Sequence, residues 1–168
     1  MITRENLNPD NLTADDVKAF VGRYQDDPIR FVNEILQLEV DSNQKEILES
    51  IRDEDYVSIA SGRGIGKSWV LSFVAIWVLC TKPSAKILVT SNTDAQSKTT
   101  LWSPLCSILR KSLVSEWFDV TTERINFKGN PDLAFIKRLV WSENNVEAVS
   151  GYHSKNMIYL CDESSKYP

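Results

Sequence analysis

The fold of this chain is decided by the stretch Tyr56-Val57-Ser58-Ile59-Ala60-Ser61-Gly62-Arg63-Gly64-Ile65-Gly66-Lys67-Ser68. An apolar, β-branched run comes first, a glycine-rich bend follows, and an apolar segment long enough for a helix begins at the end of the stretch. This order of strand, bend and helix start is typical of a phosphate-binding loop. We therefore predict a strand over residues 56–60 and a helix over residues 67–79.

The bend has the chemistry that a phosphate group needs. Its glycines permit backbone angles closed to other residues, so consecutive N–H groups can surround an anion. We expect Lys67 to reach the β- and γ-phosphates of a nucleotide and the Ser68 hydroxyl to bind Mg²⁺. A surface turn with a solvated lysine is the alternative, because Ser61 stands where the pattern has glycine. The predicted phosphate-binding residues are Ser61, Gly62, Arg63, Gly64, Ile65, Gly66, Lys67 and Ser68.

Composition and charge limit the classes to which the chain can belong. Its 168 residues, 42% of them hydrophobic and 25% charged, are typical of one globular domain. A net charge of −4 gives no general basic surface for nucleic acid. Three scattered cysteines and the single histidine, His153, favour neither a disulfide framework nor a zinc site. The apolar run over residues 69–80 is shorter than the roughly 20 residues of a membrane-spanning helix, so we expect a buried helix and no membrane association.

Three short helices are predicted before the first strand. A capping box at Thr13 begins the first, which extends to about residue 24 with Val17, Phe20 and Val21 on its apolar face. Pro28 opens the second helix. Asp41 and Gln44 cap the third, which ends near residue 52. We divide the chain into an N-terminal helical lead-in over residues 1–55 and a phosphate-loop core over residues 56–168.

The remaining sequence alternates between strands and helices. A helix over residues 93–113 is expected to be interrupted near Pro104. Short alternating runs predict an antiparallel hairpin or meander before the last strand. The predicted strands are 86–90, 117–121, 124–128, 137–141 and 157–161. This alternation predicts an α/β fold with a parallel sheet and a nucleotide at the carboxyl ends of its strands.

A second motif, Asp162-Glu163, follows the last strand. In a magnesium-dependent ATPase, Asp162 would bind the same Mg²⁺ as Ser68. Glu163 would orient or deprotonate the water that attacks the γ-phosphate. An acid pair of this kind often only caps a turn, but both motifs in this order favour a nucleotide site. Trp69, Phe73 and Trp77 are predicted to pack in the core, and flanking of the nucleotide is the alternative for Trp69.

These motifs resemble the ATPase domain of the large terminase subunit, the DNA-packaging motor of tailed bacteriophages. The resemblance covers residues 28–167 and is most specific over residues 62–68. Terminases typically carry an arginine early in this loop, and Arg63 matches it. In the family that arginine is thought to sense or stabilise the γ-phosphate, which a guanidinium can do with its fork of donors. A solvent-facing Arg63 is the alternative.

An upstream segment, residues 41–48, resembles the glutamine motif that reads adenine in terminases and related helicases. The Gln44 amide offers both a donor and an acceptor, which suits the edge of adenine. Gln44 also fits the third position of the predicted helix, where its side chain would take part in the N-terminal cap. The sequence leaves both roles open. Residues 89–96 and 147–153 are similar to further terminase segments, although Ser91-Asn92 replaces the usual small residue and proline.

The resemblance implies a P-loop NTPase fold of the RecA/ASCE type, a parallel sheet flanked by helices with an antiparallel hairpin insertion. It implies ATP and Mg²⁺ as cofactors and catalytic roles for Glu163, Arg63 and Lys67. The implied partners of the full-length protein are double-stranded viral DNA, the portal protein and the small terminase subunit. A homo-oligomeric ring on the capsid, in the cytoplasm of the infected host, is the implied setting.

The resemblance also predicts what this sequence lacks. Terminases continue beyond the Asp-Glu strand to a coupling motif and a nuclease domain, whereas this sequence ends five residues after Glu163. In ATPases of this class the next strand inserts between the Asp-Glu strand and the phosphate-loop strand. We therefore expect an incomplete sheet, no nuclease activity and inefficient hydrolysis. A helicase-like DNA translocase of superfamily 2 and an inactive remnant that only binds partners are the alternatives.

Overall fold

One mixed sheet organises the structure, a computed structural model that describes residues 2–59, 66–91, 97–140 and 154–161. Its strands are β1 (Lys86–Ser91), β2 (Phe118–Val120), β3 (Arg124–Phe127), β4 (Phe135–Val140) and β5 (Met157–Cys161). The spatial order is β2-β3-β4-β1-β5. The central strand β1 runs parallel to β4 and to β5, while β2, β3 and β4 form an antiparallel meander. The predicted α/β fold and the predicted meander are confirmed.

Five α-helices accompany the sheet in the described part of the chain. They are α1 (Ala14–Tyr24), α2 (Pro28–Phe31), α3 (Ser42–Asp53), α4 (Lys67–Thr81) and α5 (Ser103–Lys111). The described residues also include the 3₁₀ segments Glu5–Leu7 and Ser115–Trp117 and the π-helical segments Val32–Leu36 and Ser97–Trp102. The predicted interruption near Pro104 is confirmed, because the π-helical segment gives way to α5 with Pro104 in its first turn.

The predicted helix caps are present. Thr13 accepts a hydrogen bond from the Asp16 N–H, and the Asp16 carboxylate accepts one from the Thr13 N–H. Asp41 and Gln44 exchange the corresponding pair at the start of α3. The prediction that Val17 lies on the apolar face of α1 is wrong, since 43% of it is exposed. Burial in α1 begins only at Phe20, because the first turn extends beyond the packed core.

A single hydrophobic cluster joins the helices to one face of the sheet. The helix α4 lies inside it, with the whole of residues 72–81 buried. Side chains from both sides of the predicted boundary after residue 55 contribute, for example Leu48 and Val70. The division into two parts therefore stays a prediction. Within the described residues, no helix is long and apolar enough to cross a membrane.

The prediction of a strand over residues 56–60 is wrong for residues 56–59, the part that the structure describes. This segment pairs with no strand of the sheet. Tyr56 is 95% exposed and Val57 is 37% exposed. A β-branched run forms a strand only where a neighbouring strand satisfies its backbone. Among the described residues, β5 is an edge strand and nothing joins it to Tyr56 and its neighbours.

Tyr24 anchors the packing of α1 on the π-helical turn. Its side chain is fully buried, and its hydroxyl donates a 2.7 Å hydrogen bond to the Glu34 carboxylate. Arg23 donates to the same carboxylate at 2.9–3.1 Å. Burial, followed by the hydrogen bond to Glu34, raises the pKa of Tyr24 to about 12. The Trp77 indole N–H donates a 2.8 Å hydrogen bond to the Tyr24 carbonyl, which connects the end of α1 to α4.

We expect the chain to lose stability as the pH rises from about 10 to about 12. The folded state holds the Tyr24 proton more tightly than the unfolded chain, so the stabilisation is present below pH 10 and is lost as the pH passes the folded pKa. The variant Tyr24→Phe should lose this part of the pH dependence and cost about 1 kcal/mol at pH 7. Urea denaturation at pH 7 and pH 11 checks this, with the exposed Tyr56→Phe as control. An alkaline loss that is unchanged in Tyr24→Phe contradicts the assignment.

Candidate functional site

The described residues next to the two predicted motifs, the start of α4 and the end of β5, lie at one edge of the sheet. The carboxyl ends of β1, β4 and β5 meet there, because these strands are parallel. The helix α4 packs against β1 and β4 and is joined to β1 by residues 82–85 alone. After so short a connection α4 must run antiparallel to β1, so its N-terminus faces the same edge. In α/β sheets this is the edge at which ligands bind.

The N-terminus of α4 has the geometry of an anion site. Gly66 adopts a left-handed conformation, with φ 73° and ψ 23°, and as a glycine it supplies no side chain to cap the helix. The N–H groups of Trp69 and Val70 both donate to the Gly66 carbonyl, at 3.0 and 3.1 Å, so the helix begins at once. Lys67 and Ser68 occupy its first turn and are half-buried. N–H groups in this position and the helix dipole favour an anionic group.

Gln44 lies against the start of α4. A Cβ atom added to Gly66 would lie 2.9 Å from Gln44 Nε2. At the other end of the same amide, Gln44 Oε1 accepts a 3.2 Å hydrogen bond from the Asp41 N–H. The cap role of Gln44 is therefore confirmed. Adenine recognition by Gln44 stays a prediction, although its side chain is next to the last glycine of the loop.

The variant Gly66→Ala should destabilise the chain by about 1–3 kcal/mol, because a Cβ is strained at this φ and meets Gln44. Urea denaturation measures the loss. Gly22→Ala is the matched control, since Gly22 lies in α1 with nothing within 4 Å of an added Cβ. That control should gain up to about 1 kcal/mol from helix propensity. A Gly66→Ala variant as stable as the unsubstituted chain contradicts the left-handed assignment.

Trp69 projects from the first turn of α4. It is 46% exposed, and its ring meets Phe73 edge to face with 6.3 Å between the ring centroids. Phe73 and Trp77 are buried, so the core prediction is confirmed for those two. It is wrong for Trp69, whose first-turn position lies at the margin of the core. Flanking of the nucleotide by Trp69 stays a prediction.

Sequence reasoning missed a contact at the end of β5. Thr90 and Cys161 are register partners in β1 and β5, and the Thr90 hydroxyl donates to Cys161 Sγ at 3.2 Å. This hydrogen bond holds the side chain of Cys161, the last described residue before Asp162. The signal in the sequence was the threonine that follows the apolar run Ile87-Leu88-Val89. The contact aligns the ends of the two strands at the candidate site.

The other predicted site residues lie outside the described ranges. They are Ser61, Gly62, Arg63, Gly64, Ile65, Asp162 and Glu163. Residues 92–96 and 147–153, which carry further parts of the resemblance, also lie outside them. Across the residues that are described, no group of His, Cys, Asp and Glu side chains is arranged to hold a metal ion. Asp162, the predicted metal ligand of the second motif, is not among those residues.

The cysteines form no disulfide, as the sequence predicted. Burial raises the pKa of the Cys80 thiol. Burial also raises the pKa of the Cys106 thiol, against a small opposing effect of Arg110. Both side chains are buried and held in the protonated form, so they pack as small apolar groups.

A cavity of about 560 Å³ adjoins the start of α3. Its lining residues are Asn33, Gln37, Leu38, Glu39 and Val40. Gln37 ends the π-helical turn in a left-handed conformation, with φ 57° and ψ 41°, and its N–H donates to the Val32 carbonyl. Sequence reasoning missed this cavity. Neither a non-glycine residue with positive φ nor a π-helical turn has a distinctive sequence pattern.

Comparison with known proteins identifies a similar phage protein. The chain is 28% identical over 135 residues to a protein described as "Probable terminase, large subunit" of Enterobacteria phage P7. The aligned region covers 73% of the chain and 26% of that relative, so the chain spans about a quarter of the relative's length. No protein-family model matches the chain, and no solved structure matches it. The similarity supports the terminase resemblance at low identity.

Proposed function

We propose that this chain is the ATP-binding and ATP-hydrolysing part of a phage terminase large subunit, which powers the packaging of viral DNA in the full-length protein. The observation that carries the proposal is the similarity to the phage P7 protein over 135 residues. The α/β sheet and the uncapped helix start at Gly66 support it, since both suit a bound nucleotide. No observation favours the helicase-like alternative.

In this proposal the loop over residues 61–68 binds the phosphates of ATP. Its N–H groups surround the phosphate oxygens, and Lys67 neutralises charge on the β- and γ-phosphates. Arg63 adds a guanidinium fork for the charge that develops on the transferred phosphoryl group. The Ser68 hydroxyl and the Asp162 carboxylate would hold Mg²⁺, which would neutralise negative charge on the phosphates.

Glu163 is the proposed catalytic base. It orients or deprotonates the water that attacks the γ-phosphate, a role worth about 10²–10⁴ in rate for a well-placed carboxylate. Gln44 contacts adenine, and Trp69 flanks the nucleotide from the first turn of α4. The Gln44 amide lies beside Gly66, and Trp69 follows Gly66 by three residues in the first turn of α4, which supports this arrangement.

The proposed partners belong to the whole terminase. They are double-stranded viral DNA, the portal protein and the small terminase subunit, with the large subunits in a ring on the capsid. The proposed setting is the cytoplasm of the infected host. The proposal assigns no DNA-contacting residue, and a net charge of −4 offers no general attraction to the DNA backbone.

Calorimetric titration with Mg·ATP tests the proposal directly. A saturable, one-to-one binding isotherm that weakens when Mg²⁺ is removed is the expected result. Absence of binding at millimolar ATP contradicts the proposal and favours a remnant that only binds partners. The same titration with GTP measures base selectivity, since Gln44 predicts a preference for adenine.

A further inference from the structure

Acidic and basic side chains are distributed unevenly along this chain. Residues 1–55 contain 14 acidic and six basic side chains, whereas residues 56–168 contain nine acidic and 13 basic ones. The net charge of −4 therefore hides an excess of positive charge in residues 56–168. Charge asymmetry of this kind indicates an interaction with a polyanion, provided that basic side chains are collected on one surface.

The exposed side of α5 is such a surface. Its exposed side chains recur at helical spacing and are all polar: Ser103, Ser107, Arg110 and Lys111. Residues three, four and seven apart share one side of a helix, while the apolar residues of α5 are buried against the core. The sequence contains no acidic residue from position 97 to position 115. This side of the helix is therefore polar and its only charges are positive.

A residue near the start of the chain adds a third positive charge to α5. Arg4 Nη2 donates to the Lys111 carbonyl at 3.1 Å and to the Arg110 carbonyl at 3.4 Å, so its guanidinium lies at the end of the helix. In the part of the chain that the structure describes, no carboxylate forms an ion pair with these three cations. Together with Ser103 and Ser107 they are called here the α5 face.

We propose that the α5 face binds the phosphate backbone of double-stranded DNA. This inference rests on the proposed function and deepens it, because it assigns a DNA-contacting surface. Arginine, lysine and serine side chains are typical donors to DNA phosphates. The acidic excess of residues 1–55 does not prevent this contact, since salt at about 0.1 M screens charges beyond about 10 Å. A local group of three cations therefore attracts the backbone even in a chain with a negative net charge.

The chemistry of the α5 face favours DNA over an acidic protein. A protein interface usually centres on buried aromatic or aliphatic side chains, and every exposed side chain of α5 is polar. Contacts to phosphates carry no sequence information, so we expect the α5 face to bind duplexes of any sequence alike.

Substitution of the two helix cations tests the α5 face. The double variant Arg110→Gln/Lys111→Gln removes two positive charges and keeps side chains that suit a helix. Its control, Lys18→Gln/Lys45→Gln, removes the same charge from exposed positions of α1 and α3. Arg4 is kept, because it also caps α5. The readout is the fluorescence anisotropy of a labelled duplex of about 20 base pairs, titrated without nucleotide at about 50–200 mM salt.

At about 50 mM salt the double variant in α5 should bind the duplex at least about tenfold more weakly than the unsubstituted chain. Its plot of log affinity against log salt should become shallower by about 2, since each phosphate contact contributes about 0.9 to the slope. The control should keep its affinity within about threefold and its slope unchanged. Lys111→Gln alone, which disturbs the helix less, should lower the slope by about 1.

Three results would overturn the α5 face. They are equal losses in the two double variants, an affinity unchanged by the substitutions in α5, and no binding of the duplex by the unsubstituted chain at the lowest salt. Poly-glutamate is the competitor that represents an acidic protein, and it should displace the labelled duplex far less well than unlabelled duplex does. Equal displacement by the two competitors assigns the face to acidic proteins and overturns the DNA assignment.

Calorimetric titration with Mg·ATP separates this inference from the proposed function. The double variant in α5 should bind Mg·ATP as the unsubstituted chain does, within about twofold, because exposed charges contribute little through solvent. A chain that binds DNA through α5 but does not bind Mg·ATP contradicts the proposed function and supports the α5 face. A chain that binds Mg·ATP, and whose DNA affinity does not depend on Arg110 and Lys111, overturns the α5 face alone.

Discussion

Lys67→Ala should lower the affinity for Mg·ATP at least about a hundredfold, because charge-assisted hydrogen bonds to phosphate are worth about 1.5–3 kcal/mol each. Lys67 begins α4 immediately after the left-handed Gly66 and is half-buried. In the proposed site its ammonium group contacts the β- and γ-phosphates that the N–H groups of the helix start also bind. Calorimetric titration with Mg·ATP measures the loss.

The control for Lys67→Ala is Lys45→Ala. Lys45 is an exposed lysine in the first turn of α3, one residue after Gln44. The Lys45→Ala substitution removes the same positive charge close to the candidate site and leaves the loop over residues 61–68 unchanged. Its affinity should stay within about twofold, since exposed charges contribute little through solvent. Equal losses in the two variants indicate a general electrostatic effect and contradict phosphate binding by Lys67.

Glu163→Gln should lower the rate of ATP hydrolysis by about 10²–10⁴ and leave the affinity for Mg·ATP within about twofold. The amide keeps the size of the side chain and removes the base that activates water. Steady-state phosphate release gives the rate, and calorimetry gives the affinity. Glu116→Gln, an exposed residue beside β2, is the control and should keep both. Hydrolysis retained in Glu163→Gln assigns the base to another group.

Helices and strands were predictable where local chemistry decides the outcome. The capping boxes at Thr13 and Asp41 are present as the sequence indicated, because caps are satisfied within a few residues. The strand over residues 157–161 was predicted with its observed bounds, since its apolar run is bounded by polar residues. The helix that begins at Lys67 extends to Thr81, two residues beyond the prediction.

The failures have a common physical reason, which is that strand formation and burial depend on distant partners. Residues 56–59 have a strand-like composition, yet no described strand pairs with them. Val17 follows the helical period but lies beyond the packed core. The cavity before α3 lies where a π-helical turn ends in the left-handed Gln37, and neither feature has a local sequence signal.

For the candidate site, the sequence predicted the roles of single residues but not how the residues are arranged in space. The sequence indicated both roles of Gln44, and the structure confirms the cap and places the amide against Gly66. The sheet topology explains why the start of α4 and the end of β5 share one edge. The strand β1 runs parallel to β5, and α4, which directly precedes β1, runs antiparallel to it. The contact of Thr90 with Cys161 required the register of the two strands, which no local pattern specifies.

In the proposed site, Ser68 and Asp162 bind one magnesium ion together. A calorimetric double-mutant cycle with Ser68→Ala and Asp162→Asn tests it, with the gain in ATP affinity on adding Mg²⁺ as the measured quantity. If the two side chains share the ion, each variant loses most of this gain and the double variant loses little more. The coupling between them should then be at least about 1 kcal/mol. Losses that simply add contradict a shared ion, and with it the account of this site.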